Sequence, residues 1–570
     1  MRRRVVGASL ALAMAALLSG CVALPTSGPV GVGNPEPVEE SAELDTFVRP
    51  PQAGADPELI VQGFIEAAAS PRGNYGAARD FLTPDFAAEW QPGAGATIDV
   101  LADRTYDAPP EVAEDAAETQ VSVGATPAAT LTATGQYEPP ASTAEVTLPY
   151  RLERVEGEWR IAEAPDGILI DELTFGDVFR PYELAFFDPD FRYLVPDLRW
   201  FAGRDTAQTS IVRALLAGPA EWLAPGVESA FPEGVTLETG AVPVANGIAS
   251  VELSGVSFDD VLTVQRMQEQ LDESLIGVVR NVDEVALAID GAVQDVAPLS
   301  DAPVHDPPVD PRPVVYDGTS FGYLSASGDE IEPIDDISPQ IEGLAPSAAA
   351  VGPQAGSVAV RTQAGVSVVL PGEAAEVRDP RQGLIAPAMD PEGVIWSVPA
   401  TAPGELVAYL PSGEERERPI PVPWSGSTIA ALEVSRDGTR IIALLGDGVR
   451  TRFAAASIER DADGMPVALS PVVLNLSALA GTPRDVAWLD ANTVASLTSL
   501  PGGDTRLVVQ ELGGVPDTIA GPEGGVQLDA GNGERDLRVR TSAGTLDVQS
   551  GVGWQTRAEG VDFVATQMPD

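Results

Sequence analysis

One phrase recurs through the second half of this 570-residue chain and limits what it can fold into: an apolar strand, a tight turn, a second apolar strand. Ala431-Leu-Glu-Val-Ser-Arg-Asp-Gly-Thr-Arg-Ile-Ile-Ala-Leu444 spells it in full, with Asp437-Gly438 as the turn. Ile385 to Val398 and Val486 to Leu497 have the same shape, and Leu344 to Val360 is a fainter copy. The copies lie about 40, 45 and 54 residues apart, the scale on which four-stranded propeller blades repeat. Each copy would be the inner two strands of a blade. Residues 312–570 hold about six such units at roughly 43 residues each, with five or seven as alternatives. A pair of β-sandwiches competes, but leaves the recurring phrase unexplained.

Upstream, the periodicity is mixed. Asp56-Pro57-Glu58 caps and starts a helix whose Ile60, Phe64 and Ala68 share a face. Gly73 to Tyr75 turns the chain, Ala77 to Leu82 reads as a second helix, and Phe86 to Trp90 as a short third piece. Alternating runs follow at Val121 and Val123, at Ala129 to Ala133 and at Val146 to Leu152. A hairpin through Gly157 closes the unit. Residues 56–175 are therefore expected to form an α+β unit of the NTF2-like or cystatin-like kind. Its cone either encloses a ligand or is packed solid.

Residues 185–295 form a second expected α+β unit. Tyr193, Val195, Leu198 and Trp200 suggest a strand. Thr206 can cap a helix through Ile211, Leu215 and Leu216 that ends at Gly218-Pro219. Strands are expected near Val235–Leu237 and Ile248–Leu253. Val264, Met267, Leu271, Leu275 and Val278 predict a long amphipathic helix, and Val285, Leu287 and Ile289 a final strand. Residues 296–311 read as a proline-rich linker.

Composition removes most catalytic chemistry. The chain has one histidine, His305 in that linker, one cysteine, Cys21, and no lysine. Cys/His zinc sites, Ser-His-Asp triads, Schiff bases and a P-loop lysine are excluded, as are structural disulfides. Carboxylate chemistry and calcium binding by Asp-rich loops survive. Ser435-Arg-Asp-Gly-Thr439 faintly echoes a sialidase Asp-box, but it lacks the tryptophan and reads as a turn. The expectation is a non-enzyme without cofactor or metal. The formal charge of −51 argues against nucleic acid as a partner.

Cys21 stands at the end of a segment with Arg2, Arg3 and Arg4 followed by apolar Val5 to Leu18, the parts of an export signal. Its apolar stretch is about 14 residues, short of the roughly 20 needed to span a bilayer. Leu18-Ser-Gly-Cys21 resembles the lipobox of bacterial lipoproteins. That resemblance implies cleavage between Gly20 and Cys21, a diacylglyceryl and N-acyl anchor on Cys21, and a mature chain on the extracytoplasmic face of the cell membrane. Residues 1–20 would be the signal peptide, and residues 21–55 an acidic Pro/Gly tether with a span on the order of 30–35 Å.

Two further resemblances extend the reading. Leu215-Leu-Ala-Gly-Pro219, Phe231-Pro-Glu-Gly234, Ala249-Ser-Val-Glu-Leu253 and the Val285-to-Gly291 run look like the GerMN module of sporulation and germination proteins. Pro25-Thr-Ser-Gly-Pro29, Gly63-Phe-Ile-Glu-Ala67 and Asn74-Tyr-Gly-Ala-Ala-Arg-Asp-Phe-Leu-Thr83, in this module order, resemble the LpqB family of actinobacterial lipoproteins. The family resemblance implies an accessory protein of the MtrA–MtrB two-component system. Its expected partner is the extracytoplasmic domain of an MtrB-type sensor histidine kinase, with effects on cell-wall homeostasis and division. The alternative is an envelope glycan-binding protein, or a carboxylate-dependent hydrolase, that meets a cell-wall component.

Overall fold

The computed structural model describes residues 49–109, 112–113, 115–140, 142–202, 207–255, 260–410, 417–448 and 450–569. Residues 48–570 form one compact unit. The signal segment 1–20, Cys21, tether residues 22–48 and Thr206 lie outside the described residues. The tether's last residues, 49–55, are described, and the Gly54 N–H donates to Glu158 at 2.8 Å.

Helix α1 (Pro57–Ala68) starts where Asp56 accepts the Leu59 N–H at 2.9 Å, with Pro57 at the first helical position. In α2 (Arg72–Arg79), Gly73, Asn74 and Tyr75 take left-handed angles, the expected turn. The helix expected over Ala77–Leu82 stops at Arg79 instead. The competing force is strand pairing: the Ile161 N–H donates to Phe81 O at 2.9 Å and the Thr83 N–H to Ile161 O at 2.8 Å. Thr83 then caps α3 (Pro84–Glu89).

Eight strands follow: β1 (Gly95–Asp99), β2 (Thr105–Asp107), β3 (Glu118–Ala125), β4 (Pro127–Thr132), β5 (Tyr137–Glu138), β6 (Val146–Val155), β7 (Glu158–Glu163) and β8 (Ile168–Asp171). They form two sheets, β5-β4-β1-β8 and β2-β3-β6-β7, with β1 and β8 parallel. Glu156 and Gly157, at φ 53° and 88°, make the β6–β7 turn, whose twist suits a two-residue hairpin. Ile60, Phe64, Trp90, Tyr150, Trp159 and Ile161 are buried between the helices and sheets. The Phe64 and Trp90 rings meet edge-on at 5.1 Å, so aromatic side chains occupy the interior of this unit.

Helix α4 (Glu172–Val178) leads into the hairpin β9 (Phe179–Phe187) and β10 (Tyr193–Ala202). Then come α5 (Ala207–Ala217), β11 (Thr236–Leu237), β12 (Val244–Ala245), β13 (Ile248–Ser254), α6 (Val261–Leu275), β14 (Glu284–Ile289) and β15 (Ala292–Val293). β13 and β14 are parallel, joined through α6, in the order β11-β13-β14-β15 with β12 also on β13. Val278 falls beyond α6, because the backbone is already extended at Ile276. Met267, Leu271 and Leu275 are buried. Gln270 and Ser274 fasten α6 to β9: Gln270 Nε2 donates to Ala185 O at 2.8 Å and Ser274 Oγ accepts the Ala185 N–H at 3.0 Å. In the expected linker, β16 (Val304–His305) pairs in parallel with β10.

Among the described residues, six sheets follow in chain order, five of four strands and one of five. The first joins Val314–Tyr316, Phe321–Leu324 and Ile331–Pro333 to the C-terminal strand Phe563–Ala565. Blades 2 to 6 occupy residues 348–379, 388–419, 428–476, 482–520 and 525–558, with Leu474–Leu476 pairing Thr451–Arg460 in blade 4. The inner strand of each blade neighbours that of the next, and the C-terminal strand neighbours those of blades 2 and 6, so the ring closes. This is a β-propeller fastened by pairing its last strand with its first blade. The four recurring phrases fall on the first two strands of blades 2, 3, 4 and 5.

Candidate functional site

The two α+β units and the linker meet the propeller on one face, at turns within blades 3 to 6. Arg192 pairs with Glu392 after the first strand of blade 3. Asn492 Nδ2, after the first strand of blade 5, donates to Glu183 Oε1 on β9 at 3.1 Å. Trp200 Nε1 on β10 donates to Gly513 O at 2.9 Å, while its ring packs 5.0 Å from Phe175. Apolar burial continues through the junction. Leu184, Phe186, Phe187 and Leu194 of the hairpin belong to the same buried cluster as Ile442, Phe453, Trp488 and Leu512 of the propeller. The β9–β10 hairpin therefore places Phe179 and Trp200 in the core of the first unit and Phe186 and Leu194 in the core shared with the propeller.

Linker residues Asp306 to Pro311 lie against the same face, at the propeller axis. Asn532 holds Val309 by both backbone groups, accepting its N–H at 2.8 Å and donating to its carbonyl at 2.9 Å. Arg538 donates to Pro311 O at 2.7 Å and pairs with Asp529 at 2.9 Å. Arg436 donates to Leu489 O at 2.6 Å and to Gly531 O, with Asp306 Oδ1 3.7 Å from its other nitrogen. Burial pulls the Arg436 pKa down, and Asp306 partly offsets that.

Beneath Val309 lies an axial cavity of about 90 Å³, lined in part by Glu433, Asp485 and Asp529 from three successive inner strands. Burial pushes the Glu433 carboxyl well above the usual carboxylate range, and the charges of Asp485 and Asp529 push the same way. Burial also raises Asp485, to about 7, against hydrogen bonds from the Leu528 N–H at 2.9 Å and the Val486 N–H at 3.1 Å. The Asp485 carboxyl, raised to about 7, could exchange a proton near neutrality. The space is small against the roughly 300–1,000 Å³ of ordinary ligand pockets. A sugar ring flanked by two acids, as glycoside hydrolysis requires, does not fit beside them.

The echo at Ser435 to Thr439 is a satisfied turn. Asp437 Oδ1 accepts Ser435 Oγ at 2.7 Å and the Thr439 N–H at 2.9 Å, and Asp437 pairs with buried Arg440. Among the described residues, no group of three or more His, Cys, Asp or Glu is placed to hold a metal ion. Among them also, no helix is long and apolar enough to cross a membrane. The axial acids were not singled out by motif reading. Their available signal was a carboxylate inside an apolar inner strand, as with Glu433 between Leu432 and Val434.

Three family models match the chain. The lipoprotein LpqB N-terminal domain matches residues 50–176, a sporulation and spore germination domain residues 183–295, and the lipoprotein LpqB beta-propeller domain residues 322–564. Curated relatives named lipoprotein LpqB include one from Thermobifida fusca, 34% identical over 44% of this chain and 41% of its own length. Over that match the chain thus spans about two fifths of the relative. The Rhodococcus jostii protein is 27% identical over 89% of this chain and 80% of its own. The Streptomyces coelicolor protein is 26% identical, covering 95% of each.

Proposed function

The chain belongs to the LpqB family of lipoproteins, and on that premise we propose that it is a non-enzymatic, membrane-tethered modulator of a sensor histidine kinase. In this reading Cys21 carries the lipid, cleavage falls after Gly20, and the protein faces away from the cytoplasm. The partner is the extracytoplasmic domain of an MtrB-type kinase, and the output reaches cell-wall homeostasis and division.

The observation that carries the reading is the continuous core from the β9–β10 hairpin into the propeller. A single body on a lipid tether can present one fixed surface to a membrane-embedded receptor. Confinement to the bilayer raises its effective concentration without adding any contact. Binding that favours one kinase state shifts the kinase toward that state.

Crosslinking in intact cells, followed by purification of the full chain, tests the partner. The kinase is expected among the crosslinked products. Its absence, with other envelope proteins recovered, would refute the partnership. The glycan-hydrolase alternative has no support from the axial acids, which are enclosed in about 90 Å³.

A further inference from the structure

The opposite face of the propeller carries a second opening, of about 320 Å³, between blades 2 and 3. Its walls are the turn at Thr362 to Gly365, between the second and third strands of blade 2, and the connection at Arg381 to Leu384 that leads into blade 3. Such turns alternate with those that face the α+β units, so this opening points away from them.

Arg361 sets the chemistry of the opening. Its Nε donates to Ser347 Oγ at 3.0 Å, one terminal nitrogen to Leu384 O at 3.2 Å, and the other to Ser347 O at 3.3 Å. All three acceptors are neutral. A guanidinium offers five N–H donors, so two remain. Among the described residues no carboxylate lies within ion-pair distance of it. The carboxylate it senses is Asp485, too distant to pair.

Several other arginines of the propeller, unlike Arg361, do have a carboxylate partner. Arg381, in the same wall, is held by Asp379 at 2.7 Å. Arg460 has Asp390 at 2.6 Å and Arg538 has Asp529 at 2.9 Å. With 85 acidic against 34 basic residues, a half-buried arginine without an acid is not for want of acids. Burial pulls the Arg361 pKa below its ordinary value, which agrees with a charge short of solvent and counter-ion.

The rim supplies the rest of the specificity. Gln363 and Gln382 are exposed amides that can donate and accept, and Thr362 adds a hydroxyl. The planar fork of arginine matches a carboxylate in two parallel hydrogen bonds. Amide and hydroxyl rims match a body rich in hydroxyls. The volume is at the low end for ligand pockets and fits one sugar-sized molecule. We propose that this opening is a binding site for a small hydroxylated carboxylate, of the acid-sugar class, with Arg361 taking the carboxylate and Gln363 and Gln382 the hydroxyls.

Titration calorimetry on the full chain in detergent tests the site, with D-glucuronate, D-glucose and inorganic phosphate as probes. Glucuronate is expected to bind saturably and at least about tenfold more tightly than glucose, the worth of one charge-assisted pair. Phosphate is expected to bind more weakly than glucuronate. Arg361→Met should cost at least about tenfold in glucuronate affinity. Because that substitution also removes the brace between Ser347 and Leu384, Gln363→Glu is the companion. It places a negative charge at the rim, leaves the brace intact, and should abolish glucuronate binding with an unchanged unfolding midpoint. Equal binding of glucose and glucuronate, tighter binding of phosphate, absence of saturable glucuronate binding, or indifference to Gln363→Glu would each overturn the proposal.

Discussion

Glu433 brings a carboxylic acid into the propeller axis, where its side chain has no hydrogen-bond donor among the described residues. Its pKa and that of Asp485 are raised, chiefly by burial. The sign of the consequence follows from linkage. The native state keeps protons that the unfolded chain has already released, from about pH 4 upward to about 7 for Asp485. These two groups therefore contribute stability at low pH that is lost as pH rises through that window. Glu433→Gln should make the protein more stable than wild type at pH 8, by about 1–3 kcal/mol, with the gap closing as pH falls toward 4. Denaturant titrations at both pH values check this, and a gap independent of pH would contradict it. Asp56 is a simpler case: Asp56→Ala removes the α1 cap and should cost about 1 kcal/mol by the same measurement. The cap was legible because Asp-Pro-Glu is a local signal. The axial acids were not, because no local pattern says which carboxylates a closed ring will gather.

At the scale of elements, the inner strands of the blades were the most legible. They are buried on both sides, so apolar runs flank each turn, as with Ile441 to Leu445 after Asp437-Gly438. Outer strands such as Glu417–Pro419 and Ile331–Pro333 are short and mostly exposed, and leave no apolar pattern to read. Strand β16 was read as linker because its pairing depends on β10, more than a hundred residues earlier in the chain. The α2 end was misplaced for the same kind of reason, since β7 competes for Phe81 and Thr83. Ring closure rests on Phe563–Ala565, where Phe563 is 1% exposed and its ring lies 5.5 Å from that of Tyr316. Phe563→Ala should cost about 3–5 kcal/mol and open the propeller to proteolysis. Wild-type resistance in that variant would show that closure does not depend on this strand.

The whole molecule couples its modules through apolar burial as well as surface polar contacts. The core shared by Phe186, Phe187, Ile442, Phe453 and Trp488 predicts that the GerMN-like unit and the propeller unfold together. Calorimetry should find one transition for the two, and Trp200→Ala, which removes the bond to Gly513, should lower its midpoint. Two well-separated transitions in the wild type would argue against a single body. The module order was readable from motifs, but this coupling was not, because it is built from side chains far apart in sequence. In the proposed function, a lipid on Cys21 is what turns this body into a regulator, by holding it at the membrane. The most direct test compares kinase output in cells carrying the wild-type chain or Cys21→Ala, matched for exported protein. Loss of regulation with Cys21→Ala, while the purified variant keeps the wild-type unfolding midpoint, is the expected result. Regulation by the untethered chain equal to that of the wild type would contradict it.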